Sequence, residues 1–306
     1  MSACLPGLTG TSEFRMLWNV FEQDGTTGGI RPSVLDRLFG AFLFDLDGTV
    51  WLTEEAMPGA RMGPARRHKL LPDARKVIRA VRSRGSRVAF MTNNADGTRE
   101  SFAHELGDLG IPCAPGDVTC TAFVMARYLS SQQPGSHCYV IGSDPLREEL
   151  CQAGLKLRDR PGDIDFVVVG IDRDFTYHKL QTAFEAIRAG ARLVATNPDP
   201  WVPAGHGDLA DIGALIAAIE VASEHRLDKL VGKPDPLIVE VALECLSAES
   251  ADCLIVGDQL ETDVLAGWRA GVPVALLLRD PRVVAQLQDW QHQPDFLLES
   301  LRGLVV

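Results

Sequence analysis

Two carboxylates stand two residues apart in Asp45-Leu46-Asp47-Gly48-Thr49, directly after the apolar run Ala41-Phe42-Leu43-Phe44. Clustering acids at the end of a buried strand is costly unless something positive sits among them. Magnesium suits that role, because it prefers carboxylate and carbonyl oxygens and keeps places in its shell for water and a substrate phosphate. Asp45 is then a candidate nucleophile that attacks phosphorus and forms an aspartyl-phosphate. Asp47 is the candidate general acid that protonates the leaving alcohol and the base that later activates water. Gly48 permits the tight turn off the strand. Asp-Gly pairs also make plain acidic turns, so the motif needs partners before it means a site.

Three further clusters supply candidates. Thr92-Asn93-Asn94 follows Val88-Ala89-Phe90-Met91 and offers hydroxyl, amide and backbone N–H donors to a phosphoryl oxygen, or is simply a strand exit. Lys233, in Gly232-Lys233-Pro234, can neutralise a phosphate and orient Asp45, although a lone lysine is commonly a surface charge. Asp258 follows Leu254-Ile255-Val256-Gly257 and reads as a magnesium ligand. Asp263 is a second ligand or the holder of a metal-bound water, or else the N-cap of the stretch Val264-Leu265-Ala266. Ligands in open α/β sheets bind at the carboxyl ends of strands, so all four clusters can converge.

The elements that must position them alternate along the chain. Asp73 is expected to cap a helix in which Ala74, Val77, Ile78 and Val81 share a face, and Gly85 stops it. Short apolar runs at 88–91, 138–141, 166–169, 193–195, 253–256 and 274–278 read as strands, with helical stretches between them. That alternation predicts an α/β fold, a parallel sheet covered by helices on both faces. Residues 1–36 are Gly/Thr-rich and weakly patterned, an N-terminal extension. Residues 54–70, with Pro58, Gly59, Gly63, Pro64 and the basic cluster Arg66-Arg67-His68-Lys69, read as a loop, its basic cluster solvated or, since it follows closely on the first motif, reaching toward the site.

Bulk properties narrow the classes. The chain has 306 residues, long enough for two domains or a core with a large insertion. A formal net charge of -11 argues against nucleic-acid binding, which demands a basic face. No apolar run is long enough for a bilayer and no secretory leader is visible, so no membrane partner and a cytoplasmic location are expected. Seven scattered cysteines without a CxxC pair argue against a disulfide framework or zinc site, and Cys138 and Cys253 read as small buried hydrophobes.

Taken together, the motifs resemble the haloacid dehalogenase-like hydrolases, in the subgroup with a large C2-type cap that includes NagD-like, p-nitrophenyl, pyridoxal phosphate and phosphoglycolate phosphatases. The resemblance covers roughly residues 40–304. It rests on Phe44-Asp45-Leu46-Asp47-Gly48-Thr49-Val50-Trp51, Val88-Ala89-Phe90-Met91-Thr92-Asn93-Asn94 and Gly170-Ile171-Asp172-Arg173-Asp174-Phe175-Thr176-Tyr177. Ala195-Thr196-Asn197-Pro198-Asp199, Val231-Gly232-Lys233-Pro234 and Val256-Gly257-Asp258-Gln259-Leu260-Glu261-Thr262-Asp263 complete it. It implies Asp45 as nucleophile, Asp47 as acid/base with a backbone carbonyl on magnesium, and the roles above for Lys233, Asp258 and Asp263. Asp47 favours phosphoester hydrolysis, since dehalogenase members lack that acid.

The resemblance also implies a Rossmann-like core over 37–129 and 228–306, and an inserted α/β cap over 130–227 that acts as a lid. Within the cap, 197–213 corresponds to a substrate-specificity loop, with Asn197, Asp199, Trp201, His206 and Asp211 as candidates. Here the chain departs from the family, reading Leu209-Ala210-Asp211-Ile212-Gly213 in place of a Pro-Gly and a second small pair. Each has a plainer reading: Trp201 as cap core, His206 as an exposed loop residue, Asp211 as a helix N-cap. The expected partner is a small phosphorylated metabolite such as a sugar phosphate, phosphoglycolate, a nucleoside monophosphate or pyridoxal phosphate, with a homodimer through the cap a further expectation. Phosphoryl transfer to an alcohol other than water, or a non-catalytic homologue, are the alternatives; intact Asp45, Asp47, Lys233 and Asp258 speak against the second.

Overall fold

The computed structural model describes residues 39–54, 67–204 and 207–305. Strand β1 (Ala41–Asp45) is buried along its whole length, as a strand covered on both faces must be. It leads into an antiparallel hairpin of β2 (Trp51–Glu54) and β3 (Arg67–Leu70). Helix α1 (Ala74–Ser83) buries Ala74, Val77, Ile78 and Val81, the face expected, and delivers the chain to β4 (Arg87–Thr92). Then come α2 (Arg99–Asp108), β5 (Val118–Cys120) and α3 (Thr121–Gln132).

The middle of the chain runs β6 (His137–Ile141), α4 (Asp144–Gln152), β7 (Lys156–Leu157), β8 (Phe166–Val169), α5 (Tyr177–Arg188) and β9 (Arg192–Ala195). A second hairpin, β10 (Trp201–Ala204) with β11 (Gly207–Ala210), precedes α6 (Ile212–Ser223) and β12 (Lys229–Leu230). The last part is α7 (Leu237–Leu246), β13 (Cys253–Gly257), α8 (Leu265–Ala270), β14 (Val274–Leu277), α9 (Pro281–Leu287) and β15 (Phe296–Leu298).

Two parallel sheets result. One has the order β15-β14-β13-β1-β4-β5, the other β12-β9-β8-β6-β7. In the first, β1 is central: Phe44 lies opposite Val256 of β13 and Phe90 of β4. The chain leaves β1 toward β4 and later returns on its other side at β13, so the order reverses at β1. Such a reversal opens a crevice outside the carboxyl ends, where Asp45, Thr92 and Asp258 arrive. In the second sheet, alternate residues serve opposite faces. Cys138, Val140, Phe166 and Val168 join the core around Phe44 and Phe90. Tyr139, Ile141, Val167 and Val169 pack with Ala183 and Ile187 of α5 and Ile216 and Ile219 of α6.

Two expectations about the elements are corrected. Asp73 sits at the N-terminus of α1, but its backbone is left-handed (φ 65) and its side chain makes no cap bond. Its carboxylate accepts instead from Arg302 at 2.6 Å. The segment read as a solvated loop is in part the β2–β3 hairpin, with the His68 side chain only 4% exposed. Within the expected specificity loop, Trp201–Ala204 and Gly207–Ala210 pair as antiparallel strands. Cys138 and Cys253 are buried and free.

Phe90 is fully buried in β4, its ring tilted against Phe44 at 6.4 Å. Phe90→Ala is expected to lower unfolding free energy by about 3–5 kcal/mol in urea denaturation. A loss below about 1 kcal/mol would contradict a tightly packed core at this position.

Candidate active site

Lys233 is the hub. Its Nζ lies 2.5 Å from Asp45 Oδ1 and 2.7 Å from Asp263 Oδ1, and all three side chains are buried. Asp45 comes from the end of β1, Lys233 from the loop after β12, and Asp263 from a π-helical turn, Leu260–Val264, beyond β13. Asn93 grips the backbone of Lys233 at both ends: Oδ1 accepts from its N–H at 2.8 Å and Nδ2 donates to its carbonyl at 2.9 Å. The neighbouring glycine has no space for a side chain, because a Cβ on Gly232 would stand 2.4 Å from the Thr196 carbonyl. Asp263 is oriented by the N–H groups of Asp258 and Gln259, each donating to Oδ2 at 3.2 Å. It is therefore no helix cap; its carboxylate is committed to Lys233 and the β13 turn.

Asp258 completes the acidic cluster, accepting from the Thr49 hydroxyl at 3.4 Å. Gly48 is needed twice over: its φ is +89, and a Cβ there would meet Asp258 Oδ2 at 2.2 Å. Arg279 braces the same turn, Nη1 donating to the Gly48 carbonyl at 2.5 Å. One carboxylate oxygen each from Asp45, Asp258 and Asp263 lies within 4.8 Å of the others.

The charges do not balance. Three carboxylates face one ammonium, with Arg279 the further cation acting on Asp258, so acids outnumber bases in a buried place. Burial pushes the Asp45 pKa well above the carboxylate range; Lys233 opposes that rise, and Asp263 and Asp258 add to it. Burial, reinforced by Asp263, pushes Asp258 up to about 7. Burial also works against the Lys233 ammonium, but Asp263 and Asp45 outweigh it and its pKa is raised. A divalent cation with a preference for oxygen matches both the donors and the missing charge. The residues present thus fit magnesium, with Asp45, Asp258 and Asp263 as the side chains that would hold it.

Asp47 sits at the edge of this cluster. Its Oδ1 accepts from Trp51 Nε1 at 3.2 Å and from the Thr53 hydroxyl. Thr92 is buried, and its hydroxyl accepts the Asn94 N–H at 3.0 Å. Among the sequence candidates of the second sheet, Asn197 Nδ2 donates to Asp199 at 2.8 Å and to Asp211 at 3.3 Å. This group adjoins the hub, since Gly232 N–H donates to the Thr196 carbonyl at 2.8 Å. Burial pushes Asp211 up to about 6, eased by its Asn197 hydrogen bond and raised further by Asp199. Asp211 precedes α6 but makes no side-chain cap bond. Trp201 is not cap core: it is 46% exposed, with the Arg282 guanidinium over its ring at 5.7 Å. His206 lies outside the described residues.

Sequence reasoning passed over Arg279, Thr53 and His68. Arg279 stands just beyond β14, so the strand-end rule used for the aspartates also points to it. Thr53 gave no such signal, and His68 only as part of a basic cluster close after the first motif, because their pairing needs the hairpin.

Residues 42–156 match a family model described as haloacid dehalogenase-like hydrolase, and residues 230–304 one described as HAD-hydrolase-like. An acid sugar phosphatase from Staphylococcus haemolyticus is 30% identical over 86% of this chain and 94% of its own length. The sugar-phosphatase AraL of Bacillus subtilis is 30% identical over 86% of this chain and 90% of its own. Among solved structures, a glycerol phosphate phosphatase from Mycobacterium tuberculosis in complex with magnesium is 29% identical, with a TM-score of 0.75 over 87% of this chain and 76% of that one. The chain belongs to the haloacid dehalogenase-like hydrolases, in their C2-capped subgroup, and is an enzyme of the phosphoric monoester hydrolase class.

Gly48→Ala is expected to strain the turn, displace Asp258 and lower the thermal midpoint, because the left-handed backbone alone costs about 1–2 kcal/mol. An unchanged midpoint would contradict the close approach described.

Proposed function

We propose that the chain is a magnesium-dependent phosphatase for small phosphomonoesters that works through a phosphoryl group carried on Asp45. The observation that carries this reading is the buried contact of Lys233 Nζ with Asp45 Oδ1. It fixes one oxygen of the carboxylate and leaves Oδ2 to attack phosphorus in line with the leaving oxygen. The bond from Asp45 to phosphorus forms as the ester P–O bond breaks, and Asp47 gives its proton to the departing alkoxide. Asp47 then takes a proton from water as that water attacks phosphorus, and the Asp45 carboxylate is released. Lys233 and the N–H donors of the Thr92–Asn93 turn face the charge that builds on the phosphoryl oxygens. Magnesium held by Asp45, Asp258, Asp263 and the Asp47 carbonyl would supply further positive charge at those oxygens.

The second sheet and its hairpin form the lid in this reading, with the core contributed by residues 37–129 and 228–306. Asn197 presents Asp199 and Asp211 beside the hub. Such an acidic lining disfavours a carboxylate-bearing leaving group and suits the hydroxyls of a sugar or polyol phosphate. The relatives named as sugar phosphatases support the same class.

Asp45→Asn is expected to abolish phosphate release from p-nitrophenyl phosphate with magnesium; wild-type turnover would sink the covalent route. Asp47→Asn is expected to reduce turnover by at least about a hundredfold, and an unaffected rate would remove its acid/base role. Magnesium affinity is expected to weaken by about tenfold per pH unit below about pH 7, because a proton then competes for Asp258. Calorimetric titration with magnesium from about pH 5.5 to about pH 8 reads this, and a flat affinity would exclude Asp258 as a ligand.

A further inference from the structure

Asp47 is held by a chain of contacts that leads out of the core motif and ends on a helix. Trp51 and Thr53 are two apart on β2, so their side chains share a face. Both donate to the same oxygen, Asp47 Oδ1. Directly opposite Thr53 in the hairpin register is His68 of β3. Its Nδ1 lies 3.1 Å from the Thr53 hydroxyl, and its ring stacks on Trp51 with centroids 4.2 Å apart. The other nitrogen, Nε2, lies 2.9 Å from Glu105 Oε2 on α2, a close polar contact rather than an aligned hydrogen bond.

We propose that His68 is a positioning residue for the acid/base step, fixing Asp47 through Thr53 and Trp51. This rests on the assignment of Asp47 as general acid made above. A threonine hydroxyl has one proton. Once it is given to the Asp47 carboxylate, the Thr53 oxygen can only accept from His68, so His68 Nδ1–H sets the direction of the hydroxyl. The same ring presses on the indole whose N–H is the second donor to Asp47. His68 thus governs both hydrogen bonds from β2. Its burial, at 4% side-chain exposure in a segment so rich in basic residues, fits an internal duty. Without His68 the hydroxyl can rotate and the Asp47 carboxyl loses its fixed aim at the leaving oxygen.

A misaimed acid leaves a specific kinetic mark. p-Nitrophenolate departs with little need of a proton, whereas phenolate needs one, and the two esters have nearly the same shape. kcat/KM is to be measured for phenyl phosphate and p-nitrophenyl phosphate in wild type, Thr53→Val, His68→Phe, His68→Asn and the Thr53→Val/His68→Phe double variant. Phenylalanine keeps an aromatic ring on Trp51, and asparagine keeps an N–H near the position of Nδ1. The ratio of the two kcat/KM values is independent of the fraction of folded enzyme.

The expected result is a fall of at least about tenfold in the phenyl to p-nitrophenyl ratio for His68→Phe, substantially recovered in His68→Asn. The double variant is expected to be no worse than the more impaired of its parents, because the two residues act on one carboxyl. Equal losses on both esters in His68→Phe would overturn the inference. Asp47→Asn separates the two levels: if it lowers the ratio and His68→Phe does not, the inference fails and the acid assignment stands. If Asp47→Asn leaves the ratio unchanged, both fall together.

Discussion

A buried ammonium must be matched where it sits. Taking Lys233 out of water costs several kcal/mol, and so does each of the carboxylates it touches. The acids are tolerable together only around Lys233, because removing it would leave three carboxylates with no ammonium among them. Asp45 and Lys233 are 188 residues apart in the chain, so meeting this condition closes most of the molecule on itself. The end of β1, the loop after β12 and the turn after β13 are brought to one point. The small residues around it, Gly48, Gly232 and Gly257, are the places where backbone comes too near a neighbour to admit a Cβ.

The same set is suited to a cation. Lysine neutralises one of three acids, and the remainder raises the pKa of Asp45 and Asp258 through burial and mutual repulsion. The acids hold their charge best with a divalent ion among them and a phosphate against it. An acidic chain therefore accommodates an anionic substrate through local arrangement, not through net charge.

Much of this is legible in the sequence. Strand ends that finish on polar residues pointed to Asp45, Thr92 and Asp258, and the parallel sheets follow from apolar runs spaced by helical stretches. What escaped has a physical reason in each case. β5 and β12 contain three and two residues, too short for a periodic pattern. Asp73 occupies a cap position, but its carboxylate has a better partner in Arg302, a residue far away in sequence. Asn93 offered donors for a phosphate, and its side chain proves committed to the Lys233 backbone, a use that depends on the fold having formed. The basic segment before Leu70 looked solvated because nothing local shows that His68 pairs across a hairpin with Thr53.

The central claim is that the fold exists to make Asp45 a nucleophile, and a trapped intermediate tests it most directly. Asp47→Asn enzyme mixed with substrate and magnesium is to be quenched in acid and mapped by peptide mass spectrometry. The account predicts one phosphoryl group, placed on the peptide containing Asp45 and absent when Asp45 is also replaced by Asn. A phosphoryl group on another residue that persists without Asp45, or turnover that never labels the protein, would contradict it.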